Sequence, residues 1–217
     1  MTQFFLMDYL GLSMAEEKRV EDDDVPIRVI GRHLAGENTK FLVYFDHVVD
    51  NAGFEVKNYL VVAPKNAGKN LVTGVAILPI VGEQVGLVRI YRPAIRAYSW
   101  EIPHGFVDEG ESDNSSALRE MLEETGLAVE SRYFSSLGYI TPDPGVLAAR
   151  VHLYLAEACH MTQQIQRELG LREFRFFPFR VLEKMIERSE IQDTFTLAAW
   201  CKYQLLQNAR QTGRRAP

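Results

Sequence analysis

Residues 105–127 read Gly105-Phe-Val-Asp-Glu-Gly-Glu111, then seven residues, then Arg119-Glu-Met-Leu-Glu-Glu-Thr-Gly126-Leu127. Helical periodicity runs over 112–125. Ser112 or Asp113 stands where a short polar side chain caps free N–H groups, and Gly126 stands where a left-handed residue ends a helix. At about 100° per residue, Glu120, Glu123 and Glu124 fall within an arc of about 100° and share one face. Ala117, Leu118, Met121, Leu122 and Thr125 take the opposite face, ready to pack on a sheet. Like charges at helical spacing repel by a few tenths of a kcal/mol per pair (roughly), and a divalent cation removes that repulsion. Hard oxygen ligands favour Mg²⁺ or Mn²⁺ over zinc. Glu111 enters from the preceding loop, and Arg119 stands beside the acidic face, where it can hold a neighbouring carboxylate by a forked contact. A solvated, salt-bridged helix would explain the acids alone. It would not explain two glycines, a loop acid and an arginine at fixed offsets.

Outward from this segment the chain alternates between strand and helix patterns. Strand-like residues start at Ile27. Phe41 to Val49 and Phe54 to Ala63 read as a hairpin around the turn Asp50-Asn51-Ala52-Gly53. Gly74 to Val81 and Val85 to Tyr91 are apolar runs suited to central strands. Val151 to Ala156 and Glu173 to Phe179 follow as strands. Val181 to Arg188 and Thr194 to Gln207 read as helices, the second with Leu197, Trp200, Cys201 and Leu205 as its buried stripe. The fold class is α/β, an α/β/α sandwich with a mixed sheet and an N-terminal β extension. The expected divisions are a leader (1–25), the β extension (26–73), the main domain (74–209) and a basic tail (210–217). The stretch Phe4 to Met14 could dock as a short helix on a partner subunit.

At every defined position residues 105–127 resemble the Nudix box, G-x5-E-x7-R-E-U-x-E-E-x-G-U with U apolar. The resemblance implies the Nudix fold and hydrolysis of a nucleoside diphosphate linked to another group. It also implies metal ligation by Glu120 and Glu124, with Glu123 and Glu111 assisting and Arg119 beside them as catalytic residues. The flanks Leu87-Val-Arg-Ile-Tyr-Arg-Pro93 and Trp100-Glu-Ile-Pro-His-Gly105, with Thr141-Pro-Asp-Pro-Gly145 and Val151-His-Leu-Tyr-Leu-Ala156, resemble the ADP-ribose and ADP-sugar pyrophosphatase branch. That likeness implies substrate contacts from Arg92 and Glu101, with Arg89 beside them, and a metal contact from the His104 carbonyl. The branch commonly carries a glutamate just after the Pro-Gly. Here that stretch is Val146-Leu-Ala-Ala-Arg150, without an acid. The base that activates water is therefore open between Glu123 and a later acid such as Glu168 or Glu173.

The expected products are a nucleoside monophosphate and a sugar phosphate. Other substrates in view are GDP-mannose, a dinucleoside polyphosphate or an NAD-like compound. A sensing module that binds a nucleotide sugar without cleaving it is the reading from another class. The β extension resembles the exchanged element of dimeric members, which implies a homodimer. Phe45 and Tyr59 are positioned to stack on a base, although core packing is the plainer expectation. Net charge is −5, from 24 Lys+Arg against 29 Asp+Glu. This balance argues against a nucleic-acid partner held through phosphates. No run reaches the ~20 apolar residues of a membrane span. Cys159 and Cys201 lie in no metal-type spacing and read as buried or inert thiols in a reducing compartment, so a cytoplasmic protein is expected.

Overall fold

The computed structural model describes residues 25–67, 70–166 and 168–212. The leader, with its expected docking helix, and the end of the basic tail lie outside the described residues. Three strands, β1 (Ile27–Glu37), β2 (Phe41–Asp50) and β3 (Glu55–Pro64), form an antiparallel sheet in that order. The β2–β3 turn is built as its residues dictate. Asp50 Oδ1 accepts the N–H groups of Ala52 and Phe54 at 2.9 and 2.8 Å, and Gly53 takes a φ of 87° that glycine alone adopts freely. Asp46 is buried and held by a two-pronged contact from Arg32, at 2.8 and 2.7 Å. The rest of this sheet stands largely in water, with Ile27, Val29, Ile30, Leu34 and Leu60 exposed. Core packing of Phe45 and Tyr59 is corrected here, because both are about two-fifths exposed, at 40% and 39%. Among the described residues no helix lies on this three-stranded sheet, so its faces are not both covered.

The main sheet follows. Its elements are β4 (Val72–Val81), β5 (Gln84–Arg92), β6 (Ala97–Glu101) and β7 (His104–Phe106), then α1 (Asp113–Thr125) and β8 (Leu127–Ala128). A short 3₁₀ turn then leads into β9 (Phe134–Ile140), β10 (Arg150–Glu157), β11 (His160–Met161), β12 (Leu171–Pro178), α2 (Phe179–Glu187) and α3 (Thr194–Gln211). The strand order is β12-β5-β4-β10-β9, with β4 and β10 parallel and the other neighbours antiparallel. β8 and β11 pair separately. β4 begins at Val72, two residues ahead of the boundary expected at 74.

β4 and β5 pair only beside their turn, at Ile80↔Val85 and Val81↔Gln84. They then part. β6 runs on along β5, from Val88↔Glu101 to Arg92↔Ala97, and β7 runs along β4, from Ala76↔His104 to Gly74↔Phe106. The short link between β6 and β7 is thereby wedged into the fork, and Ile77 N–H donates to Pro103 O at 2.9 Å.

Side chains of β4 alternate between two cores, as the period of a strand requires. Val75 and Ile77 join Ala117, Met121, Leu127, Tyr154 and Ala156 under α1. Ala76, Leu78 and Ile80 join Leu87, Leu153, Leu155, Leu182, Trp200 and Tyr203 under α2 and α3. The result is the expected α/β/α sandwich. On α3 the buried stripe is Thr196, Ala199, Trp200 and Tyr203, while Cys201 and Leu205 face out. Of the expected stripe Trp200 is buried and Leu197 packs on the core, whereas Cys201 and Leu205 are corrected to outward positions. The inward row keeps i, i+3, i+4, i+7 spacing but starts from Thr196. Cys201 is thus an exposed thiol, whereas burial of Cys159 raises its pKa to about 11. Arg210 and Gln211 belong to α3, so the basic tail begins later than 210. Met121 is fully buried between α1 and the sheet. Met121→Ala should lower unfolding free energy by about 2–5 kcal/mol, read as a lower denaturant midpoint at an unchanged m value.

Candidate active site

The loop that enters α1 is fixed by reciprocal hydrogen bonds. Ser112 Oγ accepts from Ser115 N at 3.2 Å, and Ser115 Oγ accepts from Ser112 N at 3.1 Å. Glu111 is thereby delivered to the helix flank, where its Oε2 accepts from Ser116 Oγ at 2.6 Å. At the other end Gly126 has φ 72° and closes the helix by donating to Leu122 O at 2.9 Å. Gly105 meets a different demand. A Cβ there would run into the carboxyl of Glu120, so a side chain at this position would displace that carboxyl from its place beside β7. The expected packing face of α1 is buried at Ala117, Met121 and Thr125, while Leu118 and Leu122 are half-buried.

Arg119 stands at the centre of the acids. Its Nη1 lies 2.8 Å from Glu120 and 3.4 Å from Glu123. Its Nη2 lies 3.2 Å from Glu111 and 3.3 Å from Asp108, and donates to Phe106 O at 3.3 Å. The expected fork is made onto Glu111, by Nε at 3.3 Å and Nη2 at 3.2 Å, and the same guanidinium is a hub that also reaches three further carboxylates. Burial works against the guanidinium charge, but hydrogen bonds to Glu111 and Glu120 outweigh it and raise the pKa above its ordinary value. Asp108 and Ser116 are members of this hub that the sequence reading missed. Neither stands at a defined position of the motif.

Two glutamates sit deeper. Glu124 is almost wholly buried, at 2% exposure, and accepts the His104 N–H at 2.9 Å. Burial raises its pKa, and the neighbouring Glu168 carboxyl pushes it further up. Burial also raises Glu120, with Glu123 and Glu168 adding repulsion. Of the later acids open as the base, Glu168, from the segment between β11 and β12, is the one whose charge bears on both Glu120 and Glu124.

The fork between β5 and β4 supplies the facing wall. Arg92 Nη2 lies 2.6 Å from Glu101 Oε2, and Arg92 Nε lies 3.1 Å from the same oxygen. Burial alone would raise the Glu101 pKa, but Arg92 and the other hydrogen-bonding and charged neighbours leave it below its ordinary value. Arg92 Nη2 also lies 2.7 Å from His104 Nε2, and His104 Nδ1 lies 2.9 Å from Ile102 O. A guanidinium only donates and a carbonyl only accepts. His104 therefore carries its proton on Nδ1 and is neutral in this arrangement. Its ring packs edge-on against Phe195 at 5.0 Å.

Arg89 is not brought to this site. Three residues from Arg92 on one strand, it points to the other face of the sheet. There it pairs with Glu173 at 3.4 Å and lies 5.0 Å over the Tyr98 ring. Glu173 is held on that same side by Arg89 and Arg175, which argues against it as the base. The stretch after Pro144-Gly145 is also accounted for. Val62 N–H donates to Val146 O at 2.8 Å, Ala148 N–H donates to Val62 O at 2.9 Å, and Tyr59 OH donates to Gly145 O at 2.8 Å. The loop where an acid was expected is thus stitched to β3.

Among the described residues, no three acidic, histidine or cysteine groups converge closely enough to hold one ion as they stand. Arg119 stands among them instead. The donors still fit a hard divalent cation by their chemistry. All are carboxyl oxygens, and burial and mutual repulsion disfavour negative charge on Glu120 and Glu124, a cost that a bound cation would relieve.

The family model for the NUDIX domain matches residues 70–199. The chain is 31% identical over 141 residues to an ADP-ribose pyrophosphatase of Bacillus subtilis (strain 168), which spans 63% of this chain and 74% of that protein. It is 36% identical over 84 residues to an ADP-sugar pyrophosphatase of Mus musculus, but that match covers only 38% of the mouse protein. A crystal structure of an ADP compounds hydrolase superposes with a TM-score of 0.68 over 87% of this chain and 96% of that one. Sequence identity there is 17%, so this likeness speaks for the fold.

Proposed function

The chain belongs to the Nudix family, and from that premise we propose that it cleaves the diphosphate of a nucleoside diphosphate sugar such as ADP-ribose. It is a hydrolase of pyrophosphate bonds, in a family that works with divalent metal ions. The observation that carries the finer reading is the meeting of two walls. The box acids with Glu168 form one, and Arg92, Glu101 and His104 form the other, joined by the hydrogen bond from His104 N–H to Glu124. The named relatives act on ADP-ribose and ADP-sugars, which is the substrate class proposed here.

Glu120 and Glu124, with Glu111 and Glu123, would hold Mg²⁺, and Mn²⁺ fits the same oxygens. The ion's chemistry is neutralisation of diphosphate charge and acidification of water. The chain's residues do the remainder. Glu168 takes the proton of the attacking water, and its place against Glu124 puts it at the acids rather than on the far sheet face. Arg92, stiffened by Glu101, offers N–H donors to the diphosphate oxygens. His104 keeps the guanidinium in plane by accepting at Nε2. Arg119 offsets the mutual repulsion of the acids and holds Glu111, Glu120 and Glu123 around it. Water attacks one phosphorus, and a nucleoside monophosphate and a sugar phosphate leave.

With Glu168 at the acids, the lack of an acid at Ala148 and Ala149 no longer favours a sensing module that leaves its ligand intact. Purified protein with Mg²⁺ should release AMP from ADP-ribose. The panel should include other ADP-sugars, GDP-mannose, a dinucleoside polyphosphate and NAD. Turnover of none of them, with Mg²⁺ or Mn²⁺, would refute the reading. Faster turnover of a non-sugar compound would move the substrate.

The exposed apolar side chains of β1 to β3 support a homodimer built on the 26–73 extension, with 74–209 as the hydrolase domain. Light scattering on a sizing column should give twice the chain mass, and a monomer mass would count against it. A cytoplasmic location goes with this reading, since the exposed Cys201 thiol stays reduced there.

A further inference from the structure

We infer that Ser136 is a nucleophilic serine, set up by His152 and Asp113, that takes the acyl group of small activated esters. The three residues come from three elements. Ser136 lies on β9, His152 on β10, and Asp113 is the first residue of α1. His152 Nε2 lies 2.7 Å from Ser136 Oγ, and His152 Nδ1 lies 2.7 Å from Asp113 Oδ2. These are the contacts of a serine–histidine–aspartate relay, which is recognised by geometry and roles rather than by order in the chain.

The hydrogen bonds also run in the required direction. An ionised carboxylate only accepts, so the imidazole proton sits on Nδ1 and the Nε2 lone pair faces Ser136. The Gly138 N–H donates to Ser136 Oγ at 3.0 Å, which leaves the serine proton to point at Nε2. That amide is available because β9 and β10 slip register between Leu153 and Tyr154, and Gly138 takes a φ of 84°. The imidazole is fixed in plane by Tyr139 and Tyr154, each with its ring centroid 4.2 Å away, and the Tyr154 hydroxyl lies 2.9 Å from Nδ1.

The base is shielded and the nucleophile is not. The His152 side chain is 11% exposed, whereas Ser136 is open to solvent. Burial lowers the His152 pKa although Asp113 opposes it, which keeps a neutral ring at neutral pH. In the reaction, Ser136 Oγ attacks the ester carbonyl carbon and its proton passes to His152 Nε2. The bond to the leaving oxygen breaks, and that oxygen takes the proton from Nε2. Water releases the acyl group by the same route, giving a carboxylic acid. This inference stands apart from the diphosphate chemistry.

The test uses p-nitrophenyl acetate with the full chain. Intact-mass measurement should show one added acetyl group, and peptide mapping should place it on Ser136. Ser136→Ala should remove that adduct, and its exposed position makes it a safe substitution for the fold. His152→Gln should slow acetylation by about 10²-fold or more, the range of a lost general base. Should His152→Gln melt early, Asp113→Asn serves in its place. Acetylation of Ser136 no faster than at other exposed serines would overturn the proposal, and so would an unchanged rate in the folded His152→Gln protein. The three residues would then serve only to anchor the start of α1 to the sheet.

Discussion

Glu168→Gln should lower kcat by about 10²–10⁴-fold, the range for removing a general base, while KM for ADP-ribose changes little. The reason lies in where the chain puts this residue. Glu168 is the only one of the three acids open as the base that lies against buried Glu124 rather than bonded chiefly to an arginine. Glu123 is drawn to Arg119 at 3.4 Å, and Glu173 is drawn away to Arg89 and Arg175. Glutamine keeps the size and polarity of the side chain but cannot take a proton. A split between kcat and KM therefore separates loss of the base from loss of binding. An equal loss of kcat in Glu123→Gln, with Glu168→Gln near wild type, would move the base to Glu123.

Glu124→Gln should cut activity by about 10³-fold while making the metal-free protein more stable. Both halves follow from burial. A metal ligand is lost, and several kcal/mol of charge stabilisation correspond to about three factors of ten. In the chelator-treated protein the same carboxyl is unfavourable. Its pKa is raised above its unfolded value by burial and by Glu168. The folded state then holds a proton that the unfolded state has released, so stability falls as pH rises from the unfolded carboxylate range towards the raised folded value. Glutamine removes that slope. Thermal melts with a chelator should show Glu124→Gln melting higher than wild type at pH 7 to 8 and with a flatter pH dependence. Addition of Mg²⁺ should raise the melting temperature of wild type and leave the variant almost unmoved. A variant that melts lower without metal would show that Glu124 is stabilising despite its burial.

The parts of the molecule legible in sequence are those set by local rules. The box helix reads from its caps, its acidic face and Gly126. The hairpin of β2 and β3 reads from Asp50 and Gly53, and the apolar runs of β4, β5 and β10 read from composition. β6, β7 and β9 escaped for physical reasons. β7 is three residues long and contains Gly105, and β9 carries Gly138 and two serines in place of alternating apolar residues. β6 and β7 are strands because β4 and β5 part, a tertiary event with no local mark. Arg89 and Arg92 look alike in a string of letters, and only strand alternation from a known register puts them on opposite faces. Glu168 could be named but not ranked, since its partner Glu124 is far along the chain. The outward turn of Cys201 and Leu205 depends on how α3 rotates against β10 and β9, which composition does not encode.

The fork between β4 and β5 also bears on the order in which the site can form. Arg92 and Glu101 lie nine residues apart, so that wall is completed by a local hairpin. The apolar face of α1 waits for Tyr154 and Ala156 on β10, a strand that enters parallel to β4 and must close a long loop to do so. Parallel pairing of distant strands is the slow kind of contact. During synthesis the helix with its crowded acids thus leaves the ribosome before the strand that seats it, and the arginine wall stands ready first. Insertion of β10 beside β4 is thus a step for which the acidic wall of the site has to wait.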